Sequence, residues 1–146
     1  TTVWPLILEA KPDARLRIVG RRPSPRVQNL VGHGVEVISD VADVLPFYTA
    51  TRCIVNPVTI GGGSKLKVFE AIATGLPLVT TSSGLVGIKM NLPSHTFAAD
   101  SSTEFAKAML TACQMQPSPA PEGIEAYSWD RIGHQFNQLL LDAVSR

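Results

Sequence analysis

Asn56-Pro-Val-Thr-Ile-Gly-Gly-Gly-Ser-Lys-Leu-Lys-Val-Phe-Glu-Ala-Ile-Ala-Thr-Gly-Leu-Pro-Leu-Val-Thr-Thr81 is the stretch that decides the fold. The run Cys53–Val58 has the apolar, β-prone character of a buried strand. Gly61, Gly62 and Gly63 follow it, and an amphipathic pattern then predicts a helix over 64–74 that Gly75 stops. Leu76–Thr80 predicts a second strand, with Pro77 near its start where a missing N–H is tolerated. Strand, glycine turn, helix and strand in this order are a βαβ unit, which demands a parallel sheet.

The charge on that helix is unusual. Unpaired N–H groups make the start of a helix electropositive, so Asp and Glu are favoured there, yet this one begins with Lys65 and Lys67. A bound anion would supply the missing negative charge, and side-chain-free glycines let backbone N–H groups approach a phosphate. Leu66, Val68, Phe69, Ala71, Ile72 and Ala73 make the helix apolar nearly all round. Lys67, Glu70 and Thr74 form one polar stripe at i, i+3 and i+7. Glu70 lies six residues past Ser64, roughly 9 Å along the axis at ~1.5 Å per residue. That reach suits a nucleoside diphosphate, with phosphates at the helix start and a ribose diol at the carboxylate. An ordinary surface ion pair between Lys67 and Glu70, worth ~0.2–0.5 kcal/mol, explains the same stripe.

Outward from this unit the pattern repeats. Val3–Ala10 predicts the end of a helix and Leu16–Val19 a strand closing at Gly20. Arg21–Arg26 predicts a proline-broken basic loop, Val35–Ile38 a strand and Val44–Thr51 a short helix. Thr96–Ala99 predicts a further strand, and Ser101 or Ser102 a cap for a helix through about Met115. Gln116–Glu122, with three prolines, reads as a linker, and Ile124–Val144 as a mostly helical tail. Arg21, Arg22 and Arg26 sit at the carboxyl end of the first strand, the edge at which open α/β sheets bind ligands, where a guanidinium can chelate a diphosphate. For at least two of the three, a solvated loop is the simpler account. Asp40 and Asp43 follow the second strand, and Asp43 suits a cap for the next helix.

Composition bounds the function. A chain of 146 residues with 45% hydrophobic residues fits one domain with a filled core, and a mean hydropathy of +0.14 agrees. A formal net charge of +1 gives no global basic field for nucleic acid or an anionic membrane, so any anion site must be local. No apolar run reaches bilayer-spanning length, and the chain reads as soluble and cytoplasmic. It begins at Thr1 rather than Met, which points to a piece of a longer protein. Cys53 and Cys113 lack metal spacing and read as core thiols of a reducing compartment. His33, His95 and His134 are scattered without metal spacing. Ser64 precedes Lys65, which fails the P-loop order, and Gly84-Leu-Val-Gly87 matches only half of a dinucleotide fingerprint. Tyr127, Trp129 and Phe136 read as docking or core aromatics.

Taken together, these segments resemble the C-terminal, nucleotide-sugar-binding domain of a group 1 glycosyltransferase of the GT-B fold. The resemblance rests on Pro12-Asp-Ala-Arg-Leu-Arg-Ile-Val-Gly20, on Gly34-Val35 through Asp43, and on Pro57 through Gly75 with Lys67-Val-Phe-Glu-Ala71. Pro77-Leu-Val-Thr-Thr81 and Tyr127-Ser-Trp129 complete it. It implies an α/β, Rossmann-like three-layer domain with a mainly parallel sheet, residues 1–146 forming the C-terminal half of a GT-B fold whose N-terminal acceptor domain lies outside this chain. It implies that Gly61, Gly62, Gly63, Ser64, Lys65 and Arg26 hold the donor diphosphate and sugar, and that Lys65 and Arg21 stabilise the leaving group. Glu70 would bind ribose, and Val41 and Asp43, in the loop with Ser39, would lie near the base. The implied partners are a nucleotide-diphosphate sugar and the N-terminal domain of the parent chain, with no metal required, no nucleic acid, and room for peripheral membrane contact by the parent. The implied reaction is retaining transfer of a hexose to a glycan or lipid. Gly62 stands where many members have a glutamate, Thr59 where close relatives often have arginine, and Ser39 where glycine is common. A sugar-nucleotide epimerase of the same fold and a non-catalytic Rossmann-like module are the alternatives.

Overall fold

The computed structural model describes residues 2–59 and 65–144. Its strands are β1 (Leu16–Gly20), β2 (Val35–Ser39), β3 (Ile54–Asn56), β4 (Leu78–Thr80) and β5 (Thr96–Ala98). β1 pairs with β2 in parallel, Leu16 opposite Val35 through Gly20 opposite Ser39. β4 lies between β3 and β5, parallel to both. The parallel pairing expected from the βαβ pattern is therefore present, divided among the described residues into a two-stranded sheet, β1–β2, and a three-stranded sheet, β3–β4–β5.

β4 shows why the domain has three layers. Leu78, Val79 and Thr80 are each 0% exposed. Successive strand residues point to opposite faces. Leu78 joins Val68, Ala71 and Ile72 of helix α4 (Leu66–Ala73), here labelled in chain order after α1 (Val3–Ala10), α2 (Pro25–Gln28) and α3 (Leu45–Thr49). Val79 turns the other way, to Ile7 of α1 and to Phe105, Ala106, Met109 and Ala112 of a later helix, Ser102–Ala112. Helices thus cover both faces of β4 in a Rossmann-like three-layer arrangement, which is why successive residues Leu78 and Val79 are both apolar rather than alternating with polar ones. Burying a side chain such as Leu78 contributes roughly 2 kcal/mol.

Gly75 ends α4 for two reasons. Its φ is +70°, and a Cβ there would meet the backbone oxygen of Ser118 at 1.9 Å. Ser118 N–H donates to the Gly75 carbonyl at 2.9 Å, so the proline-rich segment after the Ser102–Ala112 helix crosses directly over this turn. Ser101 caps that helix, its Oγ accepting from Glu104 N–H at 3.2 Å.

Several boundaries differ from the sequence reading. The Arg21–Arg26 loop contains the start of α2, with Pro25 in its first turn, where proline's fixed φ is already helical. A four-residue helix, α5 (Ser82–Leu85), follows β4 and makes the Ser102–Ala112 helix α6. The expected strand Cys53–Val58 is shorter because Val58 N–H turns back to the Asn56 carbonyl at 2.9 Å, taking it out of the ladder. α6 stops at Ala112 rather than near Met115. The tail is a 3-10 turn, Ile124–Tyr127, followed by α7 (Trp129–Val144).

Candidate functional site

Parallel strands place their carboxyl ends on one edge of each sheet, and the residues singled out from the sequence follow those ends. After β1, Arg21 and Arg22 line a cavity of about 290 Å³ together with Asp40, which follows β2. Arg22 and Asp40 have φ of +44° and +56°, a conformation that is strained for residues with a Cβ and that clusters at functional sites. Local bonds hold it: Asp40 N–H donates to the Gly20 carbonyl at 3.1 Å, and Arg22 N–H points at Asp40 Oδ1 at 3.4 Å. Arg21 and Arg26 are exposed and form no ion pair among the described residues. Arg21 lines the cavity, whereas Arg26 lies one turn further on in α2 and does not.

Asp43 does what a capping residue does. Its Oδ1 accepts from Leu45 N–H at 2.9 Å, at the first turn of α3. Val41 is half-buried two residues before it.

Glu70 is the centre of the second group. Its Oε2 accepts from Lys67 Nζ at 2.9 Å and from the Tyr48 hydroxyl at 3.0 Å. The Lys67 bond is the i, i+3 ion pair anticipated from the stripe, and the Lys67 and Glu70 side chains are 70% and 41% exposed. One of the two cations at the helix start is therefore answered inside the helix rather than by an external anion. The Tyr48 bond has no counterpart in the sequence reading. It ties α3, which follows β2, to α4, which follows β3, and so fixes the carboxylate from outside its own helix. Burial, then the bond to and charge of Glu70, push the Tyr48 phenol up to about 12. Phe69, next on α4, stacks on Tyr127 with ring centroids 4.2 Å apart, as an anchoring aromatic does.

α4 begins two residues later than the sequence suggested, with Leu66 as its first helical residue and Lys65 at the capping position. No described side chain caps it, and Val68 and Phe69 N–H both donate to the Lys65 carbonyl. Gly61, Gly62, Gly63 and Ser64 lie outside the described residues. The frame that carries the loop is described. Asn56 Nδ2 donates to Thr80 Oγ1 at 3.1 Å, Thr80 Oγ1 donates back to the Asn56 carbonyl at 3.0 Å, and Thr81 Oγ1 donates to the Val58 carbonyl. These hydroxyls satisfy the carbonyls left when β3 stops pairing, and they fix the chain just before the glycines. Beside them, Ser82 donates to Asp100 from its N–H at 2.9 Å and its hydroxyl at 2.6 Å, holding that carboxyl below its usual range. The -Thr-Thr- pair at the end of an apolar strand was the available signal for this network. Tyr48 had none, since its partner lies on another helix.

His95 is buried, its Nδ1 3.2 Å from Ser118 Oγ, and burial lowers its pKa. That is a core histidine under the crossover. Among the described residues no group of His, Cys, Asp and Glu could hold a metal, and no helix is long and apolar enough to cross a membrane. The side chains of Trp129 and Phe136 lie outside the described residues.

The sequence model of the family described as "Glycosyl transferases group 1" matches residues 1–115, from α1 through the end of α6. A curated protein of Klebsiella pneumoniae, described as an uncharacterized 44.6 kDa protein in cps region, is 26% identical over 117 residues. The match covers 74% of this chain but 30% of that protein's length. No solved structure matches the chain.

Proposed function

This chain belongs to the group 1 glycosyltransferases, and we propose that it is the donor-binding, C-terminal half of a GT-B enzyme that transfers a hexose from a nucleotide-diphosphate sugar to a glycan or lipid. The observation that carries the reading is the double hold on Glu70: a carboxylate on the helix behind the glycine loop, oriented by both Lys67 and Tyr48. An ion pair for stability alone needs no tyrosine from another element. Both bonds end on Oε2, and a carboxylate offers about four lone-pair sites, so acceptor capacity remains for a vicinal diol such as ribose.

In this proposal the donor lies along the carboxyl edge of the sheet. The N–H groups of Gly61, Gly62, Gly63 and Ser64 receive the diphosphate with Lys65 and Arg26. Lys65 and Arg21 stabilise the charge that develops on the leaving nucleoside diphosphate, so that no metal is required. Glu70 holds the ribose. Val41 and the Asp43 loop border the base, Asp43 keeping the loop's shape through its bond to Leu45 N–H. The acceptor binds to an N-terminal domain of the longer chain, which also supplies any peripheral membrane contact, and the reaction proceeds with retention in the cytoplasm.

Isothermal titration with UDP, GDP and ADP tests this directly. Binding of at least one at submillimolar concentration is expected. A well-folded protein that binds none of the three at millimolar concentration removes the proposal.

A further inference from the structure

Away from the candidate donor site, the fold brings together two thiols that are 60 residues apart in sequence. Cys53 immediately precedes β3 and packs against the α1 and α6 core, while Cys113 directly follows the last residue of α6, at its C-terminal capping position. Their sulfurs are 3.3 Å apart, neither is in a disulfide, and both residues are half-buried. Nothing in the sugar-transfer reading uses them.

The two sulfurs are not equivalent. The hydrogen bond from Cys53 brings the Cys113 thiol down to about 7, with Lys11 and Arg52 adding to the effect against the opposing influence of burial. The same bond, with burial, pushes the Cys53 thiol up. The contact between the sulfurs and the nearby cations Lys11 and Arg52 favour the anion on Cys113 over Cys53. This is the arrangement of an attacking and a resolving cysteine.

We infer that Cys53 and Cys113 form a peroxide-oxidisable pair that closes to an intramolecular disulfide joining the start of β3 to the end of α6. The Cys113 thiolate attacks one oxygen of a hydroperoxide such as hydrogen peroxide. The O–O bond breaks, the sulfur keeps one oxygen as a sulfenic acid, and the departing hydroxide takes up a proton to leave as water. Once Cys113 is uncharged, its hold on the Cys53 proton is gone. Cys53 sulfur then attacks the sulfenic sulfur, the S–S bond forms, the S–O bond breaks, and a second water leaves with the Cys53 proton. Two thiols lose two electrons to one peroxide, and a dithiol reductant reverses the change.

The test treats the full-length protein with equimolar hydrogen peroxide, blocks remaining thiols with iodoacetamide, and maps peptides by mass spectrometry without reduction. The expected product is a linked pair of peptides containing Cys53 and Cys113, lighter by two hydrogens than the reduced pair and separated again by dithiothreitol. In Cys53→Ser, dimedone should trap a sulfenic acid on Cys113. In Cys113→Ser, Cys53 should stay alkylatable at the same dose. The wild-type result decides by itself should either variant fold poorly. Three outcomes overturn the inference: both cysteines fully alkylated after peroxide, sulfinic acid on Cys113 without a linked peptide, or a link between two molecules.

Discussion

Removing the Tyr48 hydroxyl isolates the least expected contact of the candidate site. In Tyr48→Phe the ring keeps its place and Glu70 loses one of its two donors on Oε2, leaving Lys67 from the same helix. A hydrogen bond to a charged group contributes ~1.5–3 kcal/mol when it is shielded from water. The Glu70 side chain is 41% exposed, so solvent competes and about 1 kcal/mol is the appropriate scale. Freeing the carboxylate also returns rotamer freedom that a ligand must then remove, ~0.5–1.5 kcal/mol for one side chain. If Glu70 holds ribose, nucleoside diphosphate affinity should fall about three- to tenfold, while pyrophosphate affinity stays within about twofold. Calorimetric titration of wild type, Tyr48→Phe and Glu70→Ala with a nucleoside diphosphate and with pyrophosphate gives the comparison, and Glu70→Ala should show the larger selective loss. Equal weakening of both ligands would mean that Tyr48 supports the fold and not the ribose site. An unchanged nucleoside diphosphate affinity in both variants would remove Glu70 from the site altogether.

Wild-type stability should decline as pH rises from about 10 to about 12, because the folded state holds the Tyr48 phenol up to about 12 against an ordinary value of 10.0. The stabilisation is complete below the unfolded value and lost as the phenol ionises, so denaturant melts across this window should show a component that Tyr48→Phe lacks. His95 has the opposite sign. Burial favours its neutral form, so its contribution is present above its ordinary value of 6.5 and is lost as pH falls below it; His95→Gln should flatten the acid side of the melting profile. Gly75→Ala should lower stability by more than about 2 kcal/mol, combining a positive φ with a Cβ placed 1.9 Å from Ser118 O, and a thermal shift below 2 °C would contradict that account. Ser101→Ala should cost about 1 kcal/mol through loss of the α6 cap, measured in the same melts.

Hydrophobic period and glycine punctuation made the layers legible. Leu78 and Val79 are apolar without alternation because α4 covers one face of β4 and α1 and α6 the other, and two-sided burial calls for apolar side chains on both faces. Gly75 was readable as a helix stop, but not the crossing Ser118 that makes it irreplaceable, since the crossover segment has no periodic signal of its own. α2 and α5 are four residues each, too short for a 3.6-residue period to register, and they were missed for that reason. The candidate site divides the same way. Glu70 stood out because the other polar residues of its stripe, Lys67 and Thr74, fall on its own helix at i−3 and i+4, whereas Tyr48 reaches it from α3, 22 residues earlier, and only the fold makes them neighbours. Cys53 and Cys113 are the extreme case, with 60 residues between them and contact set wholly by how β3 packs on α6.

The cations at the start of α4 can now be separated by role. Lys67 is in the first turn, where the helix dipole disfavours it, and its pairing with Glu70 offsets that penalty locally. Lys65 stands at the capping position, two residues before Lys67 and outside the helix proper. In the proposed site this distinction has a direct consequence for substitution. Lys67→Gln should act through Glu70, weakening nucleoside diphosphate by a few fold and leaving pyrophosphate unchanged. Lys65→Gln should weaken both ligands alike, about tenfold for a lost phosphate contact of ~1.4 kcal/mol. Reversal of the two patterns in the same titrations would mean that Lys67 contacts the diphosphate and that its bond to Glu70 opens when ligand binds.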